Sequence, residues 1–260
     1  MGLVGPQARF DLTGRVAVVT GASSGLGVEL AQALAGAGVR LVVAARRIER
    51  LEAVVERLAG EGAEALAVQC DVHSERDIDA LVQATLDRYG AVDILVNNAG
   101  ITEIVAAEVE PIETFDRVVS VNLRGAFLCT QRFGRLMLAA GRGSVVNVAS
   151  VLGLAGCGQI PQASYAASKG AIINLTRELA AQWARRGVRV NAIAPGWFES
   201  EMTGEMFADE RSQRWMRGRT PMGRPGMAGE LDGALLFLAS DASSFVTGQT
   251  LAVDGGWSIV

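Results

Sequence analysis

A doubly wound parallel α/β sheet, built as a single domain and flanked by helices, is the fold this sequence predicts. Three observations carry the prediction. Seven short runs rich in β-branched residues recur along the chain, longer helical patterns separate them, and a glycine-rich turn, TGASSGLG, directly follows the first run. Runs that are apolar at nearly every position, rather than at alternate ones, suit parallel strands covered on both faces. Strands alternating with helices in this order imply right-handed crossovers.

The first strand is VAVVT (16–20), and a helix over 25–37 follows the glycine turn. VRLVVAA (39–45) gives the second strand, followed by an amphipathic helix over 47–60, RIERLEAVVERLAG. ALAVQ (65–69) is the third, and the helix after it, 74–89, opens with Ser74 and Asp77 as a capping box. DILVN (93–97), SVVNVAS (144–150), VRVNAIA (188–194) and TLAVD (250–254) complete about seven strands. From about 195 to 227 the chain is irregular, rich in Met, Trp, Gly and Pro, and it lies between the sixth strand and a final helix. Residues 1–260 read as one domain, because no repeat, low-complexity tract or long Pro/Gly linker divides them.

Half of the 260 residues are apolar, which provides for a large core. Lys and Arg number 24 against 28 Asp and Glu, and no basic run tracks a phosphate backbone, so nucleic acid is not an expected partner. Cys70, Cys129 and Cys157 lack metal-ligand spacing, and His73 is the sole histidine. A zinc site or a histidine-based triad is therefore not expected. Cys157 is expected to be the one thiol near the cleft. The opening MGLVGPQARF has no apolar signal-peptide core, Gly2 lacks the hydroxyl residue that myristoylation favours, and no uncharged stretch reaches about 18 residues. A soluble cytoplasmic protein with reduced thiols and no membrane partner is expected.

Gly21, Gly25 and Gly27 open the first helix, where the absence of side chains lets backbone amides approach a pyrophosphate at the positive helix end. The second strand ends not in an acidic residue, which would accept hydrogen bonds from an adenosine ribose, but in Ala44 and Ala45 followed by Arg46 and Arg47. Guanidinium groups pair with a 2′-phosphate that a carboxylate would repel. NADP(H) is thus the preferred cofactor, with NAD(H) possible. Arg46 lies closer to the strand end and is the expected partner, with Arg47 directed along the new helix. Asp71 and the NNAG run (97–100) fall at the carboxyl ends of the third and fourth strands, the edge where such sheets bind ligands. In SYAASKG (164–170), Tyr165 and Lys169 are four apart and share a helix face. Tyr and Lys at this spacing are common on solvated helices, so the pair alone decides nothing.

Taken in order, TGASSGLG, CDV, NNAG, Asn122 in SVNLRGAF, Ser150 in NVAS, Tyr165 with Lys169, and Pro195-Gly196 give nearly the whole chain the pattern of the short-chain dehydrogenase/reductases, which it resembles. The likeness is strongest to 3-oxoacyl-carrier-protein reductases and gluconate 5-dehydrogenases. It implies a Rossmann-type sheet and reversible reduction of a ketone or aldehyde to a secondary or primary alcohol by hydride transfer. Tyr165 is implied as the acid/base and Lys169 as the charge that lowers its pKa while binding the nicotinamide ribose. Ser150 is implied to hold the substrate oxygen, and Asn122 to anchor a water leading from Lys169 toward solvent. Ser23, Ser24 and Leu26 would line the pyrophosphate, Asp71 and Val72 the adenine, and Asn98, Ala99 and Gly100 the adenosine side. Phe198 and Ser200, the latter in place of the usual threonine, would meet the carboxamide and phosphates. A homotetramer is implied as well.

The stretch SVLGLAGCGQIPQASY (150–165) is about two residues longer than in the carrier-protein reductases, so the substrate is not inherited from the resemblance. Ser24 stands where some NADP-dependent members carry a basic residue, which leaves cofactor choice to Arg46 and Arg47. A dedicated carrier-protein reductase is the enzymatic alternative, and would need a basic docking surface. A dinucleotide-sensing regulator is the alternative from another class, and would not need Asn122, Ser150, Tyr165 and Lys169. Trp197, Phe198, Met202, Met206, Phe207, Trp215 and Met216 suggest an apolar substrate pocket capped by a lid over 197–216.

Overall fold

The computed structural model describes residues 5–260; the readings made on Met1 to Val4 lie outside it. Seven parallel strands form one sheet in the order β3-β2-β1-β4-β5-β6-β7. They are β1 (Val16–Thr20), β2 (Arg40–Ala45), β3 (Ala65–Gln69), β4 (Ile94–Asn97), β5 (Gly143–Val148), β6 (Val188–Pro195) and β7 (Thr250–Val253). The reversal of strand order between β1 and β4 opens a crevice at their carboxyl ends.

Helices cover both faces, which explains why the strands are apolar throughout. Ala17 and Val19 point to one face with Leu41, Val43 and Val96, against α1 (Leu26–Gly36), α2 (Ile48–Gly60) and α9 (Asp232–Ala239). Val18 points to the other with Val42, Leu95 and Val145, against α3 (Glu75–Tyr89), α5 (Ala126–Ala140) and α6 (Ala163–Trp183). Ser74 caps α3 by accepting from Asp77 N–H at 3.2 Å, as expected, while the Asp77 carboxylate reaches further back and accepts from Asp71 N–H at 3.0 Å. That contact fixes the start of the loop after β3.

Two segments carry structure that the sequence pattern did not announce. α4 (Ile112–Val119) runs into α5 through a wide π turn, Ser120–Gly125, which adds a residue to the helical register and turns Asn122 inward. The stretch expected to be irregular contains two short helices, α7 (Gly204–Ala208) and α8 (Glu210–Arg219). Among the described residues no helix is long and apolar enough to cross a membrane.

Candidate active site

At the end of β1 the chain turns sharply into α1, and the turn exists only because side chains are missing. Gly21 has φ +69°, and a Cβ there would lie 2.7 Å from Ala99 Cα; one on Gly27 would lie 2.3 Å from the Gly21 carbonyl oxygen. Asn98 Nδ2 donates to the carbonyls of Thr20 and Gly21 at 3.0 and 3.1 Å, and Thr20 Oγ1 accepts from the Asn98 and Ala99 amides. The Asn98 side chain therefore ties the end of β4 to the glycine turn, and its amide is committed to protein carbonyls.

At the end of β2 both arginines reach the cavity wall, and Arg47 departs from its expected course. Arg46 is exposed, and its carbonyl accepts from Gln69 Nε2 at 3.0 Å. Arg47 does not run along α2; it folds back across the glycine turn, donating to Ser24 Oγ at 2.9 Å and Ser23 Oγ at 3.3 Å. What draws it back is Glu201, whose carboxylate accepts from both terminal nitrogens at 2.9 and 2.7 Å.

Tyr165 and Lys169 sit one turn apart on α6, with Lys169 only 4% exposed. The ammonium donates to the Val148 carbonyl at 2.7 Å and lies 5.5 Å from the Tyr165 ring centroid. Burial lowers its pKa to about 8, because charge is poorly solvated there. The expected lowering of the Tyr165 phenol by Lys169 is not what this geometry produces. Burial raises the phenol above its ordinary value, opposed by a hydrogen bond with Ser150. Burial is the larger effect, and the lysine ammonium is engaged by the Val148 carbonyl.

Ser150, at the end of β5, is buried, and its Oγ also accepts from Leu152 N–H at 3.1 Å. Asn122 stands behind the wall. Its Oδ1 accepts from Ile101 N–H at 2.8 Å, and its Nδ2 donates to the Ile101 carbonyl and Ser168 Oγ at 2.9 and 3.0 Å. Gly100 separates Asn122 from Lys169, and a Cβ there would come within 3.3 Å of one and 3.5 Å of the other.

The opposite wall follows β6. Pro195 pairs with Val253 of β7, and Gly196 lies close against the residue that follows, since a Cβ on Gly196 would meet Asp254 Cα at 2.7 Å. Phe198 is buried, and the turn that follows is closed by Ser200, whose hydroxyl pairs with Thr203 Oγ1 at 3.0 Å. Most of the aromatic and methionine side chains expected to face substrate gather into one cluster, against which Tyr165 also packs. Trp197 packs edge-on against Trp215 and Trp257, at 5.4 and 6.2 Å between centroids, with Met216, Met206 and Phe207 around them. They tie α7 and α8 to Trp257; from this set only Phe198 and Met202 reach the cleft.

One cavity of about 550 Å³ joins these parts. Its walls include Gly21, Ser23 to Gly27, Arg46, Arg47, Asp71, Val72, Asn98 to Gly100, Ser150, Tyr165, Lys169, Pro195, Gly196, Phe198 and Ser200, so Asn122 is the single expected site residue that does not line it. Thr102, Glu103 and Arg117 on one rim and Glu201 and Thr203 on the other also line it, and no local pattern announces them. The thiol that lines the cavity is Cys70 rather than the expected Cys157, which packs with the tryptophan cluster. The Cys70 thiol is pushed up to about 12 by burial and then by Asp77 and Asp71, which leaves it unreactive. Among the described residues no cluster of His, Cys, Asp or Glu could hold a metal.

Comparison with known proteins agrees with this architecture. The family model described as enoyl-(acyl carrier protein) reductase matches residues 21–258. A 3-oxoacyl-[acyl-carrier-protein] reductase of Synechocystis is 41% identical over 247 residues, covering 94% of this chain and 97% of that protein. The gluconate 5-dehydrogenase of Gluconobacter oxydans is 42% identical over 254 residues, covering 96% and 97%. Among solved structures, a gluconate 5-dehydrogenase from Burkholderia cenocepacia in complex with NADP and tartrate superposes with a TM-score of 0.93 at 40% identity, covering 97% of this chain and 98% of that one. Likeness of this extent, over nearly the full length in sequence and in fold, places the chain: it belongs to the short-chain dehydrogenase/reductase family of NAD(P)-dependent oxidoreductases.

Proposed function

We propose that this chain is an NADP(H)-dependent oxidoreductase that interconverts a ketone or aldehyde and a secondary or primary alcohol, with Tyr165 as acid/base. The observation that carries the reading is that Ser150, Tyr165 and Lys169 share one cavity with the glycine turn and two arginines. The turn fits a dinucleotide: it has no room for a Cβ at Gly21 or Gly27, and it leads into the N-terminus of α1. The NADP named with the Burkholderia structure supports the same cofactor here.

When bound, the nicotinamide supplies hydride exchange at the carbinol carbon. Ser150 and Tyr165 hold the substrate oxygen between them, and Tyr165 gives it a proton in reduction or takes one in oxidation. Lys169 binds the ribose and restores charge balance beneath the ring. Asn122 holds Ile101, and with it the Gly100 backbone, against Lys169. Arg46 and Arg47 receive the 2′-phosphate. Residues 1–260 act as one catalytic domain in the cytoplasm, with 195–227 as the lid, and assemble as a homotetramer.

The test is a panel of ketones, aldehydes and acyl thioesters assayed with NADPH and with NADH. Turnover of at least one carbonyl, with higher kcat/KM for NADPH, is the expected result. Tight cofactor binding with no turnover anywhere in the panel would move the protein to the regulators.

A further inference from the structure

Arg47 already has a bidentate anion. Both Glu201 oxygens accept from its terminal nitrogens at 2.9 and 2.7 Å, and one of them also accepts from Arg50 at 3.0 Å. Arg47 in turn reaches Ser23 and Ser24 of the glycine turn, so one guanidinium joins the phosphate cradle to the lid. The lid turn aims the carboxylate there: Thr203 Oγ1 donates to the Phe198 carbonyl at 2.6 Å, and Ser200 lies so close to Gly25 that a Cβ on the glycine would sit 3.0 Å away. Arg47, then Ser24 and Arg50, hold the Glu201 carboxyl well below the usual carboxylate range, so it is ionised throughout the working pH.

A guanidinium fork accepts a carboxylate or a phosphate through the same planar pair of hydrogen bonds. We propose that Glu201 is a specificity-determining residue: it occupies the Arg47 fork that a cofactor 2′-phosphate needs, so a 2′-phosphorylated dinucleotide must displace the lid carboxylate and an unphosphorylated one need not. This rests on the reading that Arg47 faces the 2′-phosphate. The contact is a latch between the lid and the cradle. Binding of NADP(H) frees the lid from Arg47, whereas NAD(H) leaves it fastened, and Arg50 keeps the released carboxylate nearby. Arg47 and Glu201 are 42% and 50% exposed, so solvent weakens their pairing and the expected competition is a few-fold rather than several decades.

The experiment measures dissociation constants of NADPH and NADH by calorimetry in wild type, Glu201→Gln, Arg47→Ala and the double variant. Adenosine 2′,5′-bisphosphate and 5′-AMP serve as fragments that never reach the catalytic groups. Glu201→Gln is expected to tighten NADPH and the bisphosphate about two- to fivefold relative to NADH and 5′-AMP, the range one partly screened ion pair allows. The gain should vanish in the double variant. If wild type prefers NADPH through Arg47 and Glu201→Gln leaves the ratio unchanged or lowers it, the latch is overturned while the cofactor reading stands. If wild type prefers NADH and Glu201→Gln still tightens NADPH selectively, the cofactor preference is overturned and the latch stands.

Discussion

The Lys169 ammonium lies over the Tyr165 ring, 5.5 Å from its centroid, and is fastened to the Val148 carbonyl at 2.7 Å. Burial pushes the two groups toward their neutral forms, the phenol upward and the ammonium down to about 8. A phenol kept protonated is a proton donor in waiting, which suits reduction of a carbonyl, and a lysine near 8 can follow a proton when the phenol gives its own away.

Tyr165→Phe keeps the ring and removes the proton. Turnover is expected to fall by about 10²–10⁴-fold, the usual range for loss of a general acid/base, with the NADPH dissociation constant close to that of wild type. Steady-state kinetics beside calorimetry checks both halves, and a variant retaining more than half the wild-type kcat removes Tyr165 from the chemistry.

Lys169 predicts a pH effect on stability whose sign follows from its lowered pKa. Between about 8 and the ordinary 10.5 the unfolded chain binds more protons than the folded one, so the lysine's contribution to stability rises with pH across that window. Below pH 8 the cost of burying the charge is present in full. Lys169→Met, which does not titrate, should therefore exceed wild type in stability at pH 7 and lose about 2 kcal/mol of that advantage by pH 9.5. Urea midpoints at the two pH values measure it; a gap that stays constant shows that Lys169 does not titrate in this window.

The strands were legible because burial on both faces leaves a plain apolar run, as in VAVVT and VRVNAIA, whose expected limits lie within a residue of the observed ones. The cavity walls were legible for the same topological reason, since residues at strand ends must meet at the carboxyl edge. Direction was not. Spacing puts Tyr165 and Lys169 on one face but says nothing of the Val148 carbonyl that draws the ammonium beneath the ring. Arg47 turned back because of Glu201, a partner 154 positions away that no local pattern connects to it. The Met and Trp residues of 197–216 gave no strand or helix period because their partners are one another and Trp257, across the gap to the last turn of the chain.

Gly27→Ala tests the cradle. Its Cβ would lie 2.3 Å from the Gly21 oxygen and 2.5 Å from Asn98 Nδ2, and the backbone oxygen has no room to yield. A loss of about 1–3 kcal/mol is expected from overpacking, together with weaker cofactor binding as the turn opens. Gly36→Ala is the control, an exposed position in the same helix with nothing within 4 Å, where about 0.4–1 kcal/mol of stabilisation is expected. Thermal unfolding of both variants checks the pair, and equal effects would deny the glycine turn its steric role.

The proposed tetramer has a surface to test. β7 is an edge strand, and its Leu251 and Ala252 are exposed, as are Phe245, Ile259 and Val260 in the same C-terminal stretch. An unprotected edge invites pairing, and proteins that stay monomeric blunt it with charge, proline or a covering element. Neither charge nor proline stands in TLAV, and among the described residues Phe245 is fully exposed, so a second copy laid against β7 would cover these side chains. Phe245→Glu combined with Leu251→Lys places charge on that surface without entering the core. Light scattering at micromolar concentration should give a tetrameric mass for wild type and a dimer or smaller for the double variant, with unchanged circular dichroism. A monomeric wild type overturns the assembly, and an intact tetramer in the variant moves the contact away from β7.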